Sequence, residues 1–174
     1  MSSALFSEFK LRDLTLKNRT VLSPMCQYNS DNGSPNDWHL MHYGTMSMGG
    51  LGLVMAEMTN VSPEGRISPK CSGMYSKENE DGWKRVVDFC KKYGVAPMGV
   101  QLAHAGRKAS VQPPALGGKP ITVSEGGWET VGPSAIAFGD APAPRAATRD
   151  DLAKIKADHV ASVEASERIG FDVI

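Results

Sequence analysis

A unit of helix, glycine and wholly apolar strand occurs three times in this sequence, and few folds can be built from it. WHLMHYGTMSM (38–48) suits an amphipathic helix closed by Gly49 and Gly50, and LGLVMAEM after it is a continuous apolar run that ends on Glu57. NEDGWKRVVDFCKKYG then places Trp83, Val86, Val87 and Cys90 on one helical face, with Gly94 as its stop, before the strand VAPMGVQL and its polar end at Gln101. A third helix is predicted from Thr148, where TRDD reads as a cap with acidic first-turn residues, to Arg168; Gly170 stops it and FDVI begins a strand. Strands that are apolar along their whole length are buried on both faces, which implies a parallel sheet covered by helices. Right-handed crossovers leave two architectures, an open doubly wound sheet or a barrel.

The order of the polar residues selects the barrel. Before the first helix, FKLRDLTL alternates as a short hairpin would, and an apolar strand follows at Thr20 to Ser23. Polar or reactive residues stand at the carboxyl end of each successive strand: Ser23 to Tyr28, Thr59 and Asn60, then Gln101 and His104. A (β/α)8 barrel collects its site from that whole rim, whereas an open sheet uses one switch point. A complete barrel needs about 250 residues, and this chain of 174 stops inside the fourth strand. Residues 1–174 are therefore expected to form the amino-terminal half of one barrel domain. The Pro- and Gly-rich stretch 105–147 is too long for an ordinary connection and is predicted to be an excursion after the third strand, with its own hairpin around TVSEGGWETVGPSAIAF.

Charge and cysteine usage narrow the partners. Nineteen Lys and Arg balance nineteen Asp and Glu, so no broad positive field recruits nucleic acid or an anionic membrane. No apolar run approaches the roughly 18 residues of a membrane span, and a small-molecule partner is expected. Three cysteines at irregular spacing, with no secretory leader pattern, point away from a disulfide framework and toward a reducing, cytoplasmic compartment.

Several individual signals have two readings. The glycines of Gly49-Gly50-Leu51-Gly52 precede a strand, the reverse of a dinucleotide loop, so a helix cap is the better account. His39 and His42 are three apart on a helix, but nothing beside them completes a metal shell, which favours packing or surface roles. His104 and Arg107 follow a strand and are expected mainly to hold their own loop. On spacing alone Cys26 is equally a small packing hydrophobe or a functional thiol, and Tyr28 either caps a pocket or donates its phenol proton. Cys71 and Cys90 have no positional claim to chemistry.

Taken together and in this order, SPMCQY, EMTNVSPEGRIS, QLAHAGRKAS and GWETVGPSAIAF resemble the Old Yellow Enzyme family of flavin-dependent ene-reductases, and more narrowly its cysteine-containing, thermophilic-like bacterial branch. The resemblance runs along the whole chain. It implies an FMN-binding barrel that takes hydride from NAD(P)H and passes it to the β-carbon of an electron-poor, enone-type alkene. It also implies that Ser23, Pro24, Met25 and Cys26 line the flavin, with Cys26 tuning its reduction potential rather than attacking substrate. Tyr28 matches a substrate-pocket tyrosine, and Gln101 matches an amide that pairs with the flavin pyrimidine ring. Asn60 stands where relatives carry a small residue, commonly alanine, against the flavin; an amide there either hydrogen-bonds the ring or crowds it. The histidine pair and proton-donating tyrosine of the family lie just beyond the fourth strand, and its phosphate loops follow strands seven and eight. A complete member is expected to be a homo-oligomer. The rival from another class is a catalytically silent half-barrel that serves as an assembly module through its exposed strand edges. A metal- or Schiff-base-dependent lyase is disfavoured, because no lysine or ligand cluster stands at a strand end.

Overall fold

A computed structural model of the chain describes residues 3–174. Two short strands, β1 (Phe9–Leu11) and β2 (Leu14–Leu16), form an antiparallel hairpin whose turn puts Arg12 at φ 51°. The main sheet is parallel, in the order β3 (Val21–Leu22), β4 (Leu53–Asn60), β5 (Met98–Ala103). Val173 extends it by bridging in parallel to Gly99, which is where a fourth strand begins. Spatial order equals chain order throughout.

Each crossover carries a helix, and each helix starts and stops for a local reason. In α1 (Asp37–Met48) the Asn36 side chain caps the first turn while His39 reaches back to the Asn36 N–H, a capping box with imidazole in place of the usual carboxylate. Helix α2 (Lys77–Tyr93) is capped by Ser76 and buries Trp83, Val86, Val87 and Cys90, the face the sequence predicts. Helix α3 (Arg149–Ile169) opens on a Thr148–Asp151 capping box and closes on Gly170, whose φ of 99° no β-carbon tolerates easily.

All three helices pack on one face of the sheet. Tyr43 of α1, Trp83 and Val87 of α2, and Ala165 and Ile169 of α3 share a single core with Val54, Ala56, Met98 and Val100. The alternate residues of the same strands, among them Met55, Met58 and Gln101, keep exposure on the other face. A doubly wound sheet carries helices on both sides, so sequential strand order with one helical layer is the arc of a barrel.

The 105–147 excursion differs from its predicted form. No antiparallel hairpin lies at 122–138; that stretch holds a 3-10 turn (Val123–Glu125) and the two-residue strand β6 (Val131–Gly132), which pairs in parallel with β7 (Arg145–Ala146). Its anchors are distant in sequence. The Trp128 indole donates to the Glu64 carbonyl at 2.8 Å, and the Trp128 N–H donates to Ser110 Oγ at 3.1 Å. An antiparallel bridge between Val111 and Pro120 is the nearest feature to a hairpin in the excursion.

Candidate active site at the carboxyl ends of the strands

The segment after β3, Ser23 to Tyr28, lies along the carboxyl-end rim. Ser23 and Met25 are exposed, Met25 by 50%, while Pro24, Cys26 and Tyr28 are half-buried. Tyr28 sits at φ 53°, the left-handed region that a bulky residue enters only when its neighbours are fixed. Those neighbours are fixed. The Gln27 N–H donates to Glu57 Oε2 at 2.8 Å, Trp38 Nε1 donates to Gln27 Oε1 at 3.1 Å, and the Ser30 N–H donates to the Lys70 carbonyl at 3.0 Å. Burial, then the charges that the Cys26 and Cys71 thiols can carry, push the Tyr28 phenol up to about 12, so it stays protonated at neutral pH.

Cys26 has a companion that spacing does not reveal. The loop after β4 folds back so that Cys71, fully buried, approaches the Cys26 thiol; that contact lowers the Cys26 pKa against the opposing pull of burial and Glu57. The same contact, together with burial, raises Cys71. Cys90 packs in the core under α2.

Of the strand-end amides, Gln101 is exposed on the open face, and Asn60 is not. Asn60 is fully buried, and its Nδ2 donates to the Ser72 carbonyl at 2.7 Å. Its Nδ2 is thus committed to the loop that carries Cys71, while its Oδ1 has no hydrogen-bond partner among the described residues. His104 accepts the Gly106 N–H at 3.1 Å and Arg107 donates to the Ile136 carbonyl at 3.4 Å, which are loop-holding contacts. Burial pushes the His104 imidazole down. A cavity of about 830 Å³ opens between this rim and the excursion, with Met58, His104, Arg107, Lys108 and Phe138 on its walls.

The histidines of α1 diverge. His42 stacks edge-on against Tyr43, with centroids 4.9 Å apart, whereas His39 points inward, wholly buried. Among the described residues no group of three or more His, Cys, Asp or Glu is placed to hold a metal ion. His39 Nε2 instead lies 3.0 Å from Glu57 Oε1, with both side chains fully buried. This buried pair is the main feature that sequence reading misses. Glu57 reads there only as the polar end of an apolar run, but in the structure it is the extra residue of a β-bulge: Ala56 pairs with Val100 and Met58 with Gln101, which leaves Glu57 unopposed. The available signal was a charged residue inside a strand otherwise buried on both faces.

Comparison with known proteins finds relatives along the whole chain. Residues 4–174 match the family described as NADH:flavin oxidoreductase / NADH oxidase. The chain is 42% identical over 175 residues to an NADPH dehydrogenase of Listeria monocytogenes, covering 99% of this chain and 47% of that relative. It is 40% identical over 177 residues to an NADPH dehydrogenase of Bacillus cytotoxicus, covering 100% and 46%. Among solved structures it superposes on morphinone reductase with a TM-score of 0.82 at 28% identity (98% of this chain, 46% of that one). Old Yellow Enzyme from Pichia sp. gives 0.83 at 26% identity (98% and 45%). The chain spans about half the length of the relatives it matches, and the barrel arc is the part of the fold that it shares with the solved structures. By its family match, its relatives and its fold, the chain belongs to the NADH:flavin oxidoreductase / NADH oxidase family, the Old Yellow Enzyme group, whose cofactor is FMN and whose hydride donor is NAD(P)H.

Proposed function

We propose that this chain supplies one wall of the flavin site in an NAD(P)H-oxidising reductase of electron-poor C=C bonds. One observation carries the reading: toward the carboxyl ends of the parallel strands β3 and β5, an exposed thioether and an exposed amide share a rim with a protonated phenol. These groups fit FMN. A flat tricyclic ring needs an apolar wall, which Met25 and Pro24 offer, and a mixed donor and acceptor at its pyrimidine edge, which Gln101 offers. When bound, FMN would take hydride from NAD(P)H and deliver it to the β-carbon of the activated alkene.

The chain's own residues then have separate tasks. Ser23 to Cys26 shape the wall, and Cys26 contributes a polarizable sulfur and a weak S–H donor. Tyr28 holds a proton at its phenol oxygen, ready to hydrogen-bond a substrate oxygen. Asn60 enters by fixing the Ser72 loop behind the wall rather than by touching the ring with its amide. Phosphate binding falls to residues beyond this arc, as does the remaining substrate machinery. The uncovered sheet edges also suit a silent assembly module; the flavin absorbance of a chain that completes the barrel separates the two readings.

Two substitutions in the completed barrel test these tasks. Cys26→Ala is expected to leave FMN bound while shifting its midpoint potential and the turnover of substrate, because tuning and holding are separate properties. A spectroelectrochemical titration beside a bound-flavin count checks this; loss of FMN, or no change in either potential or turnover, rejects the tuning role. Tyr28→Phe is expected to weaken enone reduction by about 1 kcal/mol or more while sparing flavin reduction by the nicotinamide. Stopped-flow timing of the two half-reactions decides it, and an unaltered oxidative half-reaction across several enones removes Tyr28 from the site.

A further inference from the structure

We propose that Glu57 is a positioning residue for the flavin-facing segment: its carboxylate clamps the Gln27 amide and so sets where the Cys26 thiol and the Tyr28 ring lie. The proposal rests on the flavin-site reading of Ser23 to Tyr28 given above. It begins with the bulge. An extra residue in β4 turns the Glu57 side chain away from the open face and into the layer between the sheet and α1, where it is fully buried. A carboxylate kept there, out of water, needs partners that repay its lost hydration.

Its two oxygens have different surroundings. Oε2 receives the Gln27 N–H at 2.8 Å. Oε1 has His39 Nε2 at 3.0 Å, though not aligned as an ideal hydrogen bond. The same imidazole has other partners: Nε2 lies 3.2 Å from Ser30 Oγ, and Nδ1 accepts the Asn36 N–H at 3.1 Å while lying 3.2 Å from Asn36 Oδ1. One N–H group is thus hydrogen-bonded to Oε2, and an imidazole nitrogen faces Oε1. A hydrogen carried at the Oε2 position would be turned against the Gln27 N–H.

The segment so held is a strained one. Tyr28 is left-handed at φ 53°, and it follows directly on the clamped Gln27, whose own Nε2 returns to the Met25 carbonyl at 2.8 Å. Without the clamp, the left-handed turn loses the anchor that fixes it on its amino-terminal side. The charge acts as well as the hydrogen bond. The titratable groups facing this cluster are the Cys26 and Cys71 thiols, the Tyr28 and Tyr43 phenols, and the His39 and His42 imidazoles; toward Cys26, Glu57 opposes the thiolate.

Glu57→Gln in the completed barrel tests this, because it keeps the shape and removes the charge. Alkylation of Cys26 by iodoacetamide is followed against pH in flavin-free protein, with the adduct identified by peptide mass and Cys26→Ser as the blank. The expected result is a lower pH midpoint and roughly tenfold faster alkylation below it, the effect of deleting a like charge nearby. The FMN dissociation constant is expected to rise by about tenfold as the segment loosens. An unmoved midpoint, even with a changed plateau rate, overturns the charged clamp, since exposure alone moves the plateau. Hydrogen exchange at the Gln27 amide in the unsubstituted protein provides a measurement that needs no variant: strong protection supports the clamp, and exchange at the rate of a free peptide overturns it. Should the unsubstituted protein bind no FMN, the flavin reading fails, while the alkylation and exchange results still judge Glu57.

Discussion

Expressed alone, residues 1–174 are expected to self-associate, to retain little FMN and to oxidise no NAD(P)H in the presence of cyclohexenone. The helical side of the arc is finished, but the other side is not. Among the described residues, strand β3 pairs only with β4 and leaves Val21 47% exposed, and no strand lies beyond the bridge at Val173. Two open parallel edges and an uncovered inner face with Met25 half exposed are templates for pairing with other copies. The wall of the proposed flavin site would also stand without its opposite side. Adding the remaining barrel half in trans should restore both solubility and flavin if the two pieces close the sheet. Size-exclusion chromatography with flavin fluorescence and the enone assay measures each part. A monodisperse, yellow, active monomer of 174 residues would show that the arc does not depend on a second half.

Trp83→Ala in the completed barrel is expected to cost about 3–5 kcal/mol, a large part of the roughly 5–15 kcal/mol that holds an ordinary domain together. Trp83 is fully buried where three segments meet. Its ring lies 6.0 Å from that of His39, 5.7 Å from that of Tyr43 and 5.8 Å from that of Phe171, so α1, α2 and the start of the fourth strand all lose a neighbour at once. Truncation leaves a cavity in a layer that cannot collapse without moving a helix off the sheet. Trp83→Phe should cost much less, because it keeps an aromatic ring there and gives up only an indole N–H that has no hydrogen-bond partner among the described residues. Urea or guanidinium unfolding, read as a midpoint shift at constant slope, compares the two. A loss below about 1 kcal/mol for the alanine variant would mean that the aromatic cluster does not join the three segments.

The helices were legible because their causes are local. The Thr148 and Asp151 box, the αL stop at Gly170 and the spacing of Trp83, Val86, Val87 and Cys90 depend on residues a few positions apart. The predicted hairpin in the excursion failed for the opposite reason. Gly126, at φ 90°, ends a 3-10 turn instead of turning a hairpin, and the chain around it is held by Glu64 and Ser110, contacts that no local pattern encodes. The approach of Cys71 to Cys26 was hidden in the same way, by a loop that returns from the end of β4. His39 was half visible. Its spacing from Asn36 fits a capping box, but a helix start does not announce a buried carboxylate on the neighbouring strand.

The bulge in β4 amounts to a change of reading frame within one strand. Met55, opposite Gly99, looks into the barrel, and Ala56 looks out among the helices. Strict alternation from there would turn the carboxylate of residue 57 inward and the thioether of residue 58 outward. With one unpaired residue inserted, Glu57 stays with Ala56 on the helical side, and Met58 comes round to stand beside Gln101 on the lumen side. The open face is therefore lined along this strand by two methionines, with no carboxylate from β4 upon it. The anion is kept one layer back, close enough to hold the wall by an amide hydrogen and too deep to be met by whatever enters.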